Sequence, residues 1–114
     1  MSGEGKTTIA PDVLQTIAKL TCLKVEGVSR MAASGSPVNK LFSKNTKEGV
    51  VVDVQDDTVY VDLFVILHSN VNVRDVSRSI QTEVARAISE MVGMQVGQVN
   101  VHIEDIDYPQ NTEV

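Results

Sequence analysis

The side chains with the greatest chemical reach in this sequence are His68, His102, Cys22 and a run of carboxylates at Asp53, Asp56, Asp57 and Asp62. Neither histidine has a second ligand at metal spacing. There is no His-x-x-x-His and no second cysteine, so these residues predict no metal site. The carboxylates lack the close oxygen spacing and internal glycine of a calcium loop, and they read as the solvated end of a hairpin. No Ser-His-Asp order has supporting context for nucleophilic catalysis. Gly3-Glu4-Gly5-Lys6-Thr7-Thr8 contains the Gly-Lys-Thr that ends a phosphate loop. It lacks the glycine five residues ahead of the Gly-Lys pair and the strand that precedes such a loop. Cys22 falls inside a predicted helix and cannot form an internal disulfide, which predicts a buried thiol in a reduced, cytoplasmic protein. The residue types therefore predict no catalytic residue, no cofactor, no metal and no enzyme.

Charge narrows the partner classes. The net charge is −5 with 4% aromatic residues, which argues against nucleic acid as a partner, since phosphates and bases need basic patches and stacking platforms. The same acidity argues against adhesion to an anionic membrane surface. No apolar run approaches the roughly 20 residues of a membrane span, so direct membrane insertion is not expected. The amino-terminal residues contain no apolar secretory core and no glycine directly after Met1 for myristoylation. Any membrane association is expected to pass through another protein.

The elements that position these side chains are legible as periodicities. Thr58–Leu67 alternates, with Val59, Val61, Leu63, Val65 and Leu67 on one face. The segment that follows places Val73, Val76, Ile80, Val84, Ala87, Ile88 and Met91 at helical spacing, with Asn72 as its cap, Asp75 in its first turn and Gly93 as its stop. Pro11 opens an earlier helix whose stripe is Val13, Leu14, Ile17, Ala18 and Thr21, and Gly27 lies just past it. Lys6–Ala10 predicts a short first strand, and Val25–Met31 turns the chain into a second. Gly49–Gln55 is joined by Asp56-Asp57 to the Thr58 strand as an antiparallel hairpin. Val96, Val99, Val101 and Ile103 alternate with polar residues in a final strand. Ala32–Glu48, with Ser34-Gly35-Ser36-Pro37 and Lys40, Lys44 and Lys47, reads as a long loop, either mobile or a contact loop.

The chain is long enough for one core. The expected organisation is a flexible terminus over 1–5, a single domain over 6–108 and a flexible tail over 109–114. The expected class is α/β of the α+β type, a two-layer sandwich whose mixed sheet carries two helices on one face, in the order β-α-β-β-β-α-β. On the strand Thr58–Leu67 the other face holds Tyr60, Asp62, Phe64 and Ile66, more apolar than free exposure favours. Either a second layer covers that face or it is a surface for self- or partner-association.

The ordered set of segments resembles the alkaline-shock-protein family, the envelope stress proteins of Gram-positive bacteria. The resemblance runs from about Lys6 to Asp107 through Ile9-Ala10-Pro11-Asp12-Val13-Leu14, Val25-Glu26-Gly27-Val28, Gly49-Val50-Val51-Val52 and Val59-Tyr60-Val61-Asp62-Leu63. It continues through Asn72-Val73, Ile80-Gln81, Glu90-Met91-Val92-Gly93 and Val99-Asn100-Val101-His102-Ile103. It departs at His68-Ser69-Asn70, where the family carries an aromatic residue and glycine. The resemblance implies a non-enzymatic cytoplasmic scaffold or adaptor. It also implies a homo-oligomer held near the membrane by a separate membrane-anchor protein, with no catalytic residues to transfer. An alternative from another class is an accessory domain that binds an acyl or phosphorylated compound near the basic loop Lys40–Lys47.

Overall fold

The computed structural model describes residue 5, residues 8–32 and residues 46–109. In chain order its elements are α1 (Pro11–Lys24), β1 (Val28–Met31), β2 (Thr46–Lys47), β3 (Val50–Gln55), β4 (Thr58–His68), α2 (Val73–Val92) and β5 (Gln95–Asp107). β4 is the centre of the sheet. One edge of it is shared by β1, antiparallel at Val28↔Leu67 and Met31↔Val65, and by β3, antiparallel from Val50↔Leu63 to Gln55↔Thr58. Its other edge is taken along its whole length by β5, in parallel from Thr58↔Gln95 to His68↔Asp107.

Two strands can share one edge only if the chain between them leaves the ladder cleanly, and Gly49 marks that point. Its carbonyl accepts the Phe64 N–H at 2.8 Å, while the Phe64 carbonyl accepts the Ala32 N–H, also at 2.8 Å. Gly49 holds φ at +83°, and an added Cβ would lie 2.9 Å from the carbonyl oxygens of both Ala32 and Phe64. Only a residue without a Cβ fits.

The alternation of β4 decides the core. Val59, Val61, Leu63, Val65 and Leu67 are each fully buried. They meet Leu14, Ile17, Ala18 and Cys22 of α1 and Val76, Ile80, Val84 and Ile88 of α2 in one apolar cluster. Each large aliphatic side chain so buried contributes about 1.5–3 kcal/mol. α2 is bounded as its sequence predicts: the Asn72 side chain accepts from the Asp75 N–H at 3.0 Å, and Gly93 closes the helix in the left-handed region at φ 74°. The expected two-layer α+β sandwich, a mixed sheet with both helices on one face, is what the structure contains.

Several details differ. Thr8–Ala10 forms no strand, and Lys6 and Thr7 lie outside the described residues, as do the ends 1–4 and 110–114. Among the described residues the order therefore begins with α1. Within the stretch read as a loop, Thr46 and Lys47 pair with Val51 and Val50 as β2, and residues 33–45 lie outside the described residues. The α1 stripe is rotated from its expected position: Gln15 and Cys22 are buried while Val13 is 46% exposed. Leu14, Ile17, Ala18 and Cys22 form the row nearest the sheet, and Val13 lies off it. On α2, Val73 and Met91 are exposed because they sit in the terminal turns, outside the buried row from Val76 to Ile88.

Candidate interaction surface

The even-numbered side chains of β4 point away from both helices. Tyr60, Asp62 and Phe64 are half-buried and Ile66 is buried at 7% exposure, yet none belongs to the core cluster. No described helix covers this face.

The pairing of β4 with β5 builds it. In register, Tyr60 meets Gln98, Asp62 meets Asn100, Phe64 meets His102 and Ile66 meets Asp105. The Asp62 carboxylate accepts from Asn100 Nδ2 at 3.2 Å and lies 3.0 Å from His102 Nε2 through the same oxygen, Oδ1. The His102 ring stacks on Phe64, with centroids 4.5 Å apart and planes 12° from parallel. Tyr60 lies over Gly97, where an added Cβ would be 2.5 Å from the tyrosine ring. At that site β5 bulges, its register shifting between the partners of Val59 and Tyr60. These contacts hold the aromatic side chains in defined positions while leaving part of each ring to solvent.

At the far end of β4 a second polar group ties the outer strands together. The Ser29 hydroxyl donates to Asp107 Oδ2 at 2.6 Å, and Arg30 Nε lies 3.6 Å from the same oxygen. The Ser29 hydrogen bond, followed by the Arg30 guanidinium, holds the Asp107 carboxyl below the usual carboxylate range. In the core, burial pushes the Cys22 thiol up to about 12, which makes it a packing residue and not a nucleophile.

The residues singled out by chemical type do not converge on a reaction centre. Among the described residues no group of three His, Cys, Asp or Glu side chains comes within reach of one ion. His68 is the last residue of β4, one position past the strand end read from the sequence, and it lines a surface cavity of about 420 Å³ with Asp107 and Tyr108. Asp53, Asp56 and Asp57 are exposed at the β3–β4 hairpin, while Asp62 is drawn into the contacts with β5. Of the basic loop, Lys40 and Lys44 lie outside the described residues. The partners that organise the face, Gly97, Asn100 and His102, lack a local signature: their alternation marks a strand, but nothing in it says which strand they adjoin.

No described helix is long and apolar enough to cross a membrane. The model of the alkaline shock protein 23 family, the alkaline-shock-protein family that the sequence resembles, described as having a cell envelope-related function, matches residues 1–108. The uncharacterized protein YqhY of Bacillus subtilis (strain 168) is 30% identical over 106 residues, spanning 91% of this chain and 78% of that protein. The uncharacterized protein Spy1535 of Streptococcus pyogenes serotype M6 is 32% identical over 104 residues, spanning 90% and 79%. Among solved structures, one MamM CTD variant superposes with a TM-score of 0.52 at 13% identity, covering 82% of this chain and 95% of that one. A second MamM CTD variant gives 0.52 at 10% identity, covering 89% and 100%. At such identities the likeness shows a shared fold.

Proposed function

Because the chain belongs to the alkaline-shock-protein family, whose function is cell envelope-related, we propose that this protein is a non-enzymatic cytoplasmic scaffold of the Gram-positive envelope stress response. It acts by self-association and by binding a membrane-anchor protein, which holds it at the membrane periphery. The observation that carries this reading is the sheet face that no described helix covers. There Tyr60 and Phe64 stand half-exposed with Asp62 between them, held by contacts with Gly97, Asn100 and His102 of β5, and Ile66 lies buried at the end. Ordered aromatic rings bind with little loss of side-chain freedom, which suits a protein contact.

The test is to isolate the tagged protein from detergent-solubilised membranes of its native host and identify what accompanies it. The expected result is co-recovery with a small membrane protein, lost in a strain lacking that partner. The double substitution Tyr60→Ser with Phe64→Ser is expected to reduce the recovery at least tenfold while circular dichroism stays that of the native fold. Recovery from the soluble fraction alone, with or without a metabolic enzyme, would overturn the scaffold reading.

A further inference from the structure

α1 carries a second apolar row besides the one it buries. Val13, Leu20 and Leu23 are 46%, 52% and 37% exposed. With Thr16 they stand three, four and three residues apart. At about 100° per residue, these four side chains fall in a stripe about 80° wide, centred about 155° around the helix from the buried row. Scattered exposed leucines are ordinary on a protein surface, but a narrow stripe at this spacing is the seam that one helix offers another.

The seam is also close to symmetric end for end. About Ala18 as midpoint, Val13 mirrors Leu23 and Thr16 mirrors Leu20, and beyond them Asp12 mirrors Lys24. Asp12 and Lys24 are both exposed. Two copies of α1 laid antiparallel about a two-fold axis bring each Val13 level with the partner's Leu23 and each Thr16 level with the partner's Leu20. The acidic first turn of each helix then lies at the basic last turn of the other, and the helix dipoles oppose favourably. A parallel arrangement would bring like charges to the same level. A contact with a foreign helix requires no such mirror pattern, whereas a two-fold contact must be complementary to itself.

We propose that α1 is the contact helix of an antiparallel two-fold dimer, with a second copy of this chain as the occupant of the seam. The proposal rests on the self-association in the proposed function but places it in the helical layer, on the side of the molecule away from Tyr60 and Phe64. A contact along about 21 Å of helix lies at the small end of specific interfaces, so a weak, concentration-dependent dimer is expected.

Sedimentation equilibrium of the full chain at low salt, reaching concentrations on the order of hundreds of micromolar, tests the proposal. Leu20→Glu is expected to weaken the dimer at least tenfold. Asp12→Lys and Lys24→Asp are expected to weaken it several-fold each, and the double reversal D12K/K24D to restore it. Tyr60→Ser with Phe64→Ser is expected to leave it unchanged. A wild-type chain that stays monomeric overturns the proposal while leaving the membrane-anchor reading standing. Loss of self-association in the Tyr60/Phe64 variant alone also overturns it, and moves the contact to the sheet. Orientation is read separately by oxidising a mixture of Val13→Cys and Leu23→Cys chains. Mixed disulfides well above the two-to-one ratio over either homodimer that random pairing gives support the antiparallel seam, and mixed disulfides at or below that ratio overturn it.

Discussion

Phe64 and His102 are register partners across the parallel β4–β5 pair, with their rings stacked at 4.5 Å between centroids. The same imidazole reaches Asp62 through Nε2 at 3.0 Å, so one side chain joins an aromatic and a carboxylate two residues apart on the central strand. Cross-strand pairs of this kind are the unit of sheet stabilisation.

A double-mutant cycle of Phe64→Ala and His102→Ala in urea denaturation should return a coupling energy of about 0.5–1.5 kcal/mol. Strictly additive losses would mean that the stack carries no weight and that the face is ordered by other contacts.

Gly97 makes room for the Tyr60 ring. Gly97→Ala would place a Cβ 2.5 Å from Tyr60 Cε1 and 2.9 Å from Thr58 Cγ2. The expected loss is about 1–3 kcal/mol. In a Tyr60→Ala background most of that loss should vanish, because the ring is the principal obstacle. An equal loss in both backgrounds would place the strain in the backbone of the bulge instead.

Cys22 links core packing to alkaline pH. Its thiol is raised from 9.0 to about 12 by burial, so the folded chain binds the proton more tightly than the unfolded chain does. The stability tied to that thiol is complete below about pH 9.0 and is lost as pH rises toward about 12. Urea midpoints of the wild type should fall more steeply above pH 9 than those of Cys22→Ala. A thiol reagent at pH 8 should modify Cys22 only once the chain has been unfolded.

Asp107 acts at the opposite end of the scale. Its carboxyl lies below the ordinary value of 3.8, first through Ser29 and then through Arg30. A lowered carboxylate contributes stability that is present above the unfolded value and is lost as pH falls through the folded one. Between pH 5 and pH 2, Asp107→Asn should therefore show a shallower loss of stability than the wild type. Chemical-shift titration of the side chain should give a midpoint under that of a free aspartate.

Much of this architecture was legible in local pattern. The alternation over Thr58–Leu67 identified the inward valines and leucines, and Asn72, Asp75 and Gly93 bounded α2, because strand alternation, caps and left-handed stops involve only residues near in the chain. The face bearing Tyr60, Asp62, Phe64 and Ile66 followed from the same period of two. What could not be read was whether that face is covered, since a covering helix and open solvent leave the same alternation on the strand.

The family resemblance, too, was present in the sequence, as an ordered series of core and turn segments. Only the tertiary structure decided that β5 adds to β4 in parallel, and so brought His102 within 3.0 Å of Asp62 across 40 positions of chain. Strand partner and register are set by the packing of the whole helical layer on the sheet, and no single segment encodes them. The orientation of α1 was settled in the same way. Two apolar rows compete on that helix, and the one that packs best against β1, β3 and α2 is buried, leaving Val13, Leu20 and Leu23 outside. Hydrophobic spacing states that a helix has faces, whereas the shape of the surface it meets selects which one goes in.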